Sequence, residues 1–166
     1  DDQERTTIMQ DNKVLIFSDL HFGIDSSSQN RLNDTVSCVE WIADVAERNS
    51  ATKCIFAGDW FHHRDEIDVR AMITAKAALE KLAEIFDEIV LISGNHDYYY
   101  NNSNEFSSIG IFNNIRNVTI VDKKPQPFFL NGKTILLTPW FYNPTIDGGK
   151  ADAMIGHFEY VGGKMN

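Results

Sequence analysis

Ile89-Val90-Leu91-Ile92-Ser93-Gly94-Asn95-His96-Asp97 is the stretch from which the rest of the chain can be read. The apolar half suits a strand buried on both faces, as in a parallel sheet covered by helices. The polar half follows at once, so the strand empties into a loop that carries an amide, an imidazole and a carboxylate. Core packing does not call for that mixture. Gly94 lets the backbone turn, and the three side chains after it can then converge above the sheet. Asn and Asp offer oxygen ligands to a hard cation, and imidazole ligates a metal or moves a proton. Alone, the tetrapeptide would read first as an Asx turn in an ordinary loop.

The same arrangement recurs upstream. Lys13-Val14-Leu15-Ile16-Phe17-Ser18 is an apolar run that leads into Asp19-Leu20-His21-Phe22-Gly23. Lys53-Cys54-Ile55-Phe56-Ala57 leads into Gly58-Asp59-Trp60-Phe61-His62-His63. Between these runs, Leu32, Val36, Val39, Ile42, Val45 and Ala46 recur at helical steps from about Leu32 to Arg48. Met72, Ile73, Ala75, Leu79, Leu82 and Ile85 do so before Phe86, with Asp68 placed to cap that helix. Strand–helix alternation of this kind predicts right-handed crossovers and a largely parallel sheet, hence an α/β fold.

Beyond Asp97 the pattern changes. Tyr98-Tyr99-Tyr100-Asn101-Asn102-Ser103 is an aromatic and polar loop, and a short helix is expected near Glu105 to Asn114. Asn117 to Val121 reads as a fourth strand. Asn131-Gly132 between Pro127-Leu130 and Lys133-Leu137 is a strong hairpin signal, so antiparallel pairing begins here. A short last strand is expected over Ala151 to Ile155, ending at Gly156-His157-Phe158-Glu159. Length and composition place the chain as a single globular domain over 13–166, after a solvated lead-in at 1–12. No apolar run approaches the roughly 20 residues that span a membrane. Cys38 and Cys54 have no motif spacing and read as reduced fillers of a cytoplasmic protein. The net charge of -9 counts against self-sufficient nucleic-acid binding by counterion release, so a polyanionic substrate would need bound metal ions, a local basic patch or a partner subunit. It leaves room for metal-assisted chemistry on a phosphodiester, because carboxylates that hold metals add to that total.

All five histidines of the chain lie in the strand-end loops. Ligand sites in open α/β sheets form at the carboxyl ends of strands, so these loops share one crevice. Asp19 and His21, two apart on an extended segment, can point the same way and hold one divalent ion. Asn95 and His157 can hold a second, and the two oxygens of Asp59 can bridge both. Two ions roughly 3.5–4 Å apart clamp the attacking and leaving oxygens of a phosphoryl transfer and activate water near neutral pH. His96 is placed to stabilise the scissile phosphate and protonate the leaving group, with Asp97 orienting its imidazole. Each residue alone has a plainer reading: Asp19 and Asp59 as helix caps, His62 and His63 as solvated loop histidines, and Tyr98 to Tyr100 as cover for a sheet edge. Four strand ends with the same chemistry argue for the site.

Asp19-Leu20-His21, Gly58-Asp59, Gly94-Asn95-His96-Asp97 and Gly156-His157 resemble, in order, successive motifs of the calcineurin-like metallophosphoesterase superfamily. The resemblance implies a four-layer α/β/β/α sandwich and a dinuclear site with Asp59 as the bridge. Within that superfamily, Gly58-Asp59-Trp60-Phe61-His62, Thr138-Pro139-Trp140-Phe141 and Gly156-His157-Phe158-Glu159 look like the SbcD-type DNA repair nucleases. The nuclease subunits of bacteriophage recombination endonucleases are the most similar branch, and there His62 matches a histidine beside the active site. What this implies is Mn2+-dependent exonuclease and endonuclease action on DNA, with Fe2+, Mg2+ or Zn2+ as alternative ions. It also implies a homodimer and an SbcC-type ATPase partner. A later Gly-His-x-His motif of that family is not present before Asn166. The expectation is therefore an N-terminal portion of a longer protein, with its second sheet incomplete and its metal weakly held. A small-substrate phosphoesterase and a metal-free scaffold on the same fold are the other readings.

Overall fold

The computed structural model describes residues 13–142 and 150–159. The lead-in expected at 1–12, the Gly148-Gly149 loop and the chain end at Asn166 lie outside the described residues. Four strands, β1 (Lys13–Phe17), β2 (Ala51–Ala57), β3 (Glu88–Ile92) and β4 (Val118–Val121), form one sheet in the order β1-β2-β3-β4. Every pairing in it is parallel. Helices α2 (Gln29–Asn49) and α3 (Val69–Ile85) make the crossovers, α2 being preceded by a single turn, α1 (Ile24–Ser27). The hairpin β5 (Gln126–Leu130) and β6 (Lys133–Thr138) pairs antiparallel around Asn131-Gly132, and β7 (Ala153–Gly156) adds parallel to β6 as a second sheet.

Side chains alternate across a strand, so each apolar run serves two cores at once. Cys54, Phe56, Ile89 and Leu91 face the helices and pack with Leu32, Val39 and Ile42 of α2 and Leu79 and Leu82 of α3. Ile55, Val90 and Ile92 face the other way and pack with Phe128, Ile135 and Leu137 of the second sheet. That double burial is why the runs are continuous rather than alternating. The described residues thus supply the helical layer and both sheets of an α/β/β/α sandwich. Among them, no helix is long and apolar enough to cross a membrane.

Local chemistry explains the element ends. The Asp68 carboxylate accepts the backbone N–H groups of Arg70 (2.8 Å) and Ala71 (3.4 Å) and so caps α3 as expected. At the other end of α3, the Asn117 amide donates to the carbonyls of Ala83 (3.0 Å) and Phe86 (2.6 Å). The helix expected near Glu105 to Asn114 is instead a 3-10 turn over Ser108–Phe112. Gly110 and Asn113-Asn114 disfavour a longer helix there. The last strand begins two residues later than expected, at Ala153. Of the two thiols, Cys54 is buried in β2, where burial pushes its pKa up, but Cys38 is exposed on α2 and fills no core.

Candidate metal centre

The carboxyl ends of β1, β2 and β3 open on one side of the first sheet, and that of β7 joins them from the second. The first two loops are laced together by backbone hydrogen bonds. Asp19 N–H donates to Gly58 O (3.0 Å), His21 N–H to Asp59 O (3.1 Å) and Phe22 N–H to Trp60 O (2.8 Å). This lacing holds Asp19, His21 and Asp59 at φ of 61°, 47° and 64°, in the left-handed region that non-glycine residues rarely enter. The extended segment expected for Asp19 and His21 is therefore not what brings them together. Each sits in a strained turn, and the strain is imposed by the neighbouring loop.

The two side chains nevertheless meet. His21 Nε2 lies 3.5 Å from Asp19 Oδ1 and 3.6 Å from Asp59 Oδ2. On the far side, His157 Nε2 lies 3.5 Å from the same Asp59 Oδ2. One buried carboxylate oxygen thus stands between two imidazole nitrogens delivered by different sheets. His157 Nδ1 is 3.0 Å from the carbonyl of Ala57. A carbonyl only accepts, so Nδ1 carries the proton and Nε2 offers a lone pair toward Asp59. By the same logic His96 Nδ1, 2.6 Å from His62 O, is a donor, which leaves its Nε2 unprotonated in the neutral ring. The other Asp59 oxygen, Oδ1, accepts the His96 backbone N–H at 2.9 Å.

Asp97 does something other than orient His96. Its carboxylate is completely buried and accepts four backbone N–H groups. Oδ2 takes those of Asp59 (2.9 Å) and Gly94 (2.9 Å), and Oδ1 those of Trp60 (3.0 Å) and Phe61 (3.2 Å). Burial pushes the Asp97 carboxyl up to about 7, and the N–H groups holding it pull the other way. The His96 ring is oriented by the His62 carbonyl instead. No sequence signal could have revealed that partner, because every residue has a carbonyl.

His62 belongs to the cluster. Its Nδ1 lies 3.4 Å from His21 Nδ1, and its ring stacks on His96 with centroids 5.3 Å apart. Burial and the neighbouring imidazoles hold His62 below the usual histidine range. His63 packs edge-on against His62 at 4.8 Å. Asn95 is half-buried at the start of the 3-10 turn Asn95–Asp97 that carries His96. Trp140, quoted in the sequence only for its likeness to one family branch, has its ring 5.9 Å from that of His157 and is anchored by its backbone N–H, which donates to Ser93 O (3.1 Å).

A model of the calcineurin-like phosphoesterase family matches residues 12–157. The chain belongs to that family. No curated protein matches this phosphoesterase. Among solved structures it is similar to a nuclease, MPE, from Pseudomonas putida, with 19% identity and a TM-score of 0.48 over 75% of this chain and 52% of that one. It is also similar to a protein of unknown function from Aquifex aeolicus, with 18% identity and a TM-score of 0.43 over 75% of this chain and 59% of the other. A third likeness is to phosphopantetheinyl hydrolase from Mycobacterium tuberculosis, with 17% identity and a TM-score of 0.43 over 79% of this chain and 43% of that chain. The phosphoesterase spans about half the length of these structures.

The residues present fit divalent metal. Asp19, His21 and Asp59 bring ligand atoms within 4.8 Å of one another, and so do His21, His62 and His96. The separations of 3.5–3.6 Å from the imidazole nitrogens to Asp59 Oδ2 and Asp19 Oδ1 are too long for good hydrogen bonds. They suit adjacent ligands of one shell, whose metal bonds are about 2.0–2.2 Å. The crevice is also shaped tightly around that oxygen pair. A Cβ on Gly94 would fall 2.2 Å from Asp59 Oδ1, and one on Gly58, at φ +105°, would fall 2.6 Å from His157 Nδ1. Gly94→Ala is accordingly expected to displace the Asp59 carboxylate and weaken Mn2+ binding by about 10–100-fold, the usual range for disturbing the support of a ligand. Calorimetric titration of both proteins checks this, and unchanged affinity would show that the loop gives way without moving Asp59.

Proposed function

We propose that this phosphoesterase is a metal-dependent phosphodiesterase acting on DNA, the exonuclease and endonuclease subunit of a recombination-repair complex. The observation that carries the hydrolase part of this reading is Asp59 Oδ2 between the Nε2 atoms of His21 and His157. Asp19 and His21 would hold one divalent ion, Asn95 and His157 a second, and Asp59 would bridge them, with Mn2+ as the leading candidate. Ions held there supply polarisation of a phosphoryl oxygen and activation of water. The chain's own groups do the rest. His96, its Nδ1–H held by the His62 carbonyl, has Nε2 left to exchange protons, and as the imidazolium would donate the Nε2 proton to the leaving oxygen and so return to the neutral ring. His62 braces His21 and His96 from one side. Asp97 holds two strand-end segments, the loops after β2 and β3, in register through their N–H groups.

The DNA part rests on the motif resemblance to SbcD-type and bacteriophage nuclease subunits, which also points to an SbcC-type ATPase and a homodimer as partners. Two free cysteines suit a reducing cytoplasm. The net charge of -9 favours a second reading, a small-substrate phosphoesterase acting on nucleotides or phosphoproteins. The rate on linear DNA against that on mononucleotides and a phosphopeptide, each with Mn2+, separates the two. DNA degraded from its ends faster than nucleotides are hydrolysed is the expected result. The reverse order assigns the small-substrate activity.

A further inference from the structure

Beside the proposed dinuclear ligand set, three imidazoles meet in a way that set does not require. It uses one nitrogen of His21, Nε2, which lies 3.5 Å from Asp19 Oδ1 and 3.6 Å from Asp59 Oδ2. The other nitrogen, Nδ1, lies 3.4 Å from His62 Nδ1. His96 completes the group, its ring 5.0 Å from that of His21 and 5.3 Å from that of His62. All three are half-buried, and each offers a nitrogen within 4.8 Å of those offered by the other two.

Two details suit a bound ion better than hydrogen bonding. A separation of 3.4 Å is long for an N–H···N contact. Two nitrogens held at about 2.0–2.1 Å in a tetrahedral shell, by contrast, stand about 3.4 Å apart. His96 is also fixed as metal-bound imidazoles usually are, with its Nδ1–H on the His62 carbonyl (2.6 Å) and a lone pair left on Nε2.

Ion chemistry separates this group from the dinuclear site. Asp19, Asp59 and Asn95 offer oxygen, which suits Mn2+, whereas three imidazoles without a carboxylate suit Zn2+. A neutral imidazole has one lone pair to give, so the His21 proton decides between the two. With an ion on Nε2, the proton sits on Nδ1 and is donated to His62 Nδ1. With an ion on Nδ1, the proton sits on Nε2, and His21 ceases to be a ligand beside Asp19 and Asp59. We propose that His21, His62 and His96 form a Zn2+ site that competes with the dinuclear centre for His21, and that zinc bound there switches the phosphoesterase off. The same ion would occupy His96 Nε2, the atom that serves the leaving oxygen. The inhibition rests on the phosphodiesterase reading, whereas the binding does not and is tested without substrate.

The test is calorimetric titration of the full chain with Zn2+ and with Mn2+, in a Cys38→Ser background because an exposed thiol would itself take zinc. His62→Asn is the informative variant. Its amide oxygen can replace Nδ1 as the acceptor of the His21 N–H, but an amide is a poor zinc ligand. Zn2+ binding is expected to weaken by at least about tenfold while Mn2+ binding is kept. Nitrogen NMR of isotope-labelled histidine locates the ion in the parent, and His21 Nδ1 is the expected ligand. Zinc on His21 Nε2, or equal Zn2+ affinity in parent and variant, overturns the site and makes zinc a mere replacement for Mn2+. Thermal melts show whether His62→Asn is folded, and His62→Gln repeats the comparison if it is not. Zinc at the concentration that fills the site should also stop Mn2+-dependent hydrolysis by the parent, and hydrolysis that survives there overturns the switch. If the parent with Mn2+ alone hydrolyses no phosphodiester, the phosphodiesterase reading falls and the zinc site is judged on the binding data.

Discussion

Asp59→Asn is expected to lower Mn2+-dependent hydrolysis of a simple phosphodiester by about a thousandfold or more. The change is nearly isosteric, so the cause must be electronic. Asp59 has one oxygen committed to the His96 backbone N–H and the other between the Nε2 atoms of His21 and His157. An amide can satisfy only one of these demands with oxygen. If its NH2 takes the first place it opposes an N–H donor, and if it takes the second it opposes two ligand nitrogens. It also removes a negative charge from the point where two cations would be bridged. Ion-assisted charge stabilisation is worth several kcal/mol in the transition state, and each 1.36 kcal/mol is about tenfold in rate. Steady-state kinetics with a matched Mn2+ titration is the check. Activity within tenfold of the parent would remove Asp59 from the bridging position and return the metal-free scaffold to consideration.

Asp97→Asn is expected to act on the fold first. Four buried N–H groups, from Asp59, Trp60, Phe61 and Gly94, converge on the two carboxylate oxygens. An asparagine keeps one oxygen and turns an NH2 toward two of those donors, which leaves them unpaired in a site without water access. Each unsatisfied buried group costs about 1–3 kcal/mol, so a loss of about 2–6 kcal/mol is expected for two of them. Against a total stability of about 5–15 kcal/mol, that is a large fraction. Urea denaturation measures it directly. A variant with unchanged stability and reduced catalysis would instead restore Asp97 to the role of orienting the His96 imidazole.

These two aspartates mark where sequence reading reaches its limit. Both are legible as strand-end carboxylates, Asp59 reading as a bridging metal ligand and Asp97 as the group that orients the His96 imidazole. For Asp59, one carboxylate oxygen lies between Nε2 atoms delivered by the two sheets. For Asp97 adjacency in sequence points to His96 as the partner, whereas the carboxylate reaches back 36 to 38 residues to the backbone of the Asp59 loop. The same blindness applies to Asp19 and His21. Their left-handed backbone comes from hydrogen bonds to Gly58 and Asp59, and nothing local in Asp19-Leu20-His21 requires it. The ring orientations of His96 and His157 depend on the carbonyls of His62 and Ala57, groups without a sequence signature.

The sequence by itself determined the strands, the helices and the chemistry at the strand ends. Apolar runs, helical periodicity and Asn131-Gly132 are local signals with local causes, and burial on two faces follows from composition alone. Tertiary structure alone decided how those ends face one another. It set which oxygen of Asp59 meets which imidazole, why Asp97 serves the backbone rather than His96, and that His62 meets His21 nitrogen to nitrogen. Each of these outcomes depends on loops from separate strands meeting above the sheet. Long-range contacts of that kind are specified by packing and hydrogen-bond satisfaction across the whole domain, so no single stretch of sequence carries them.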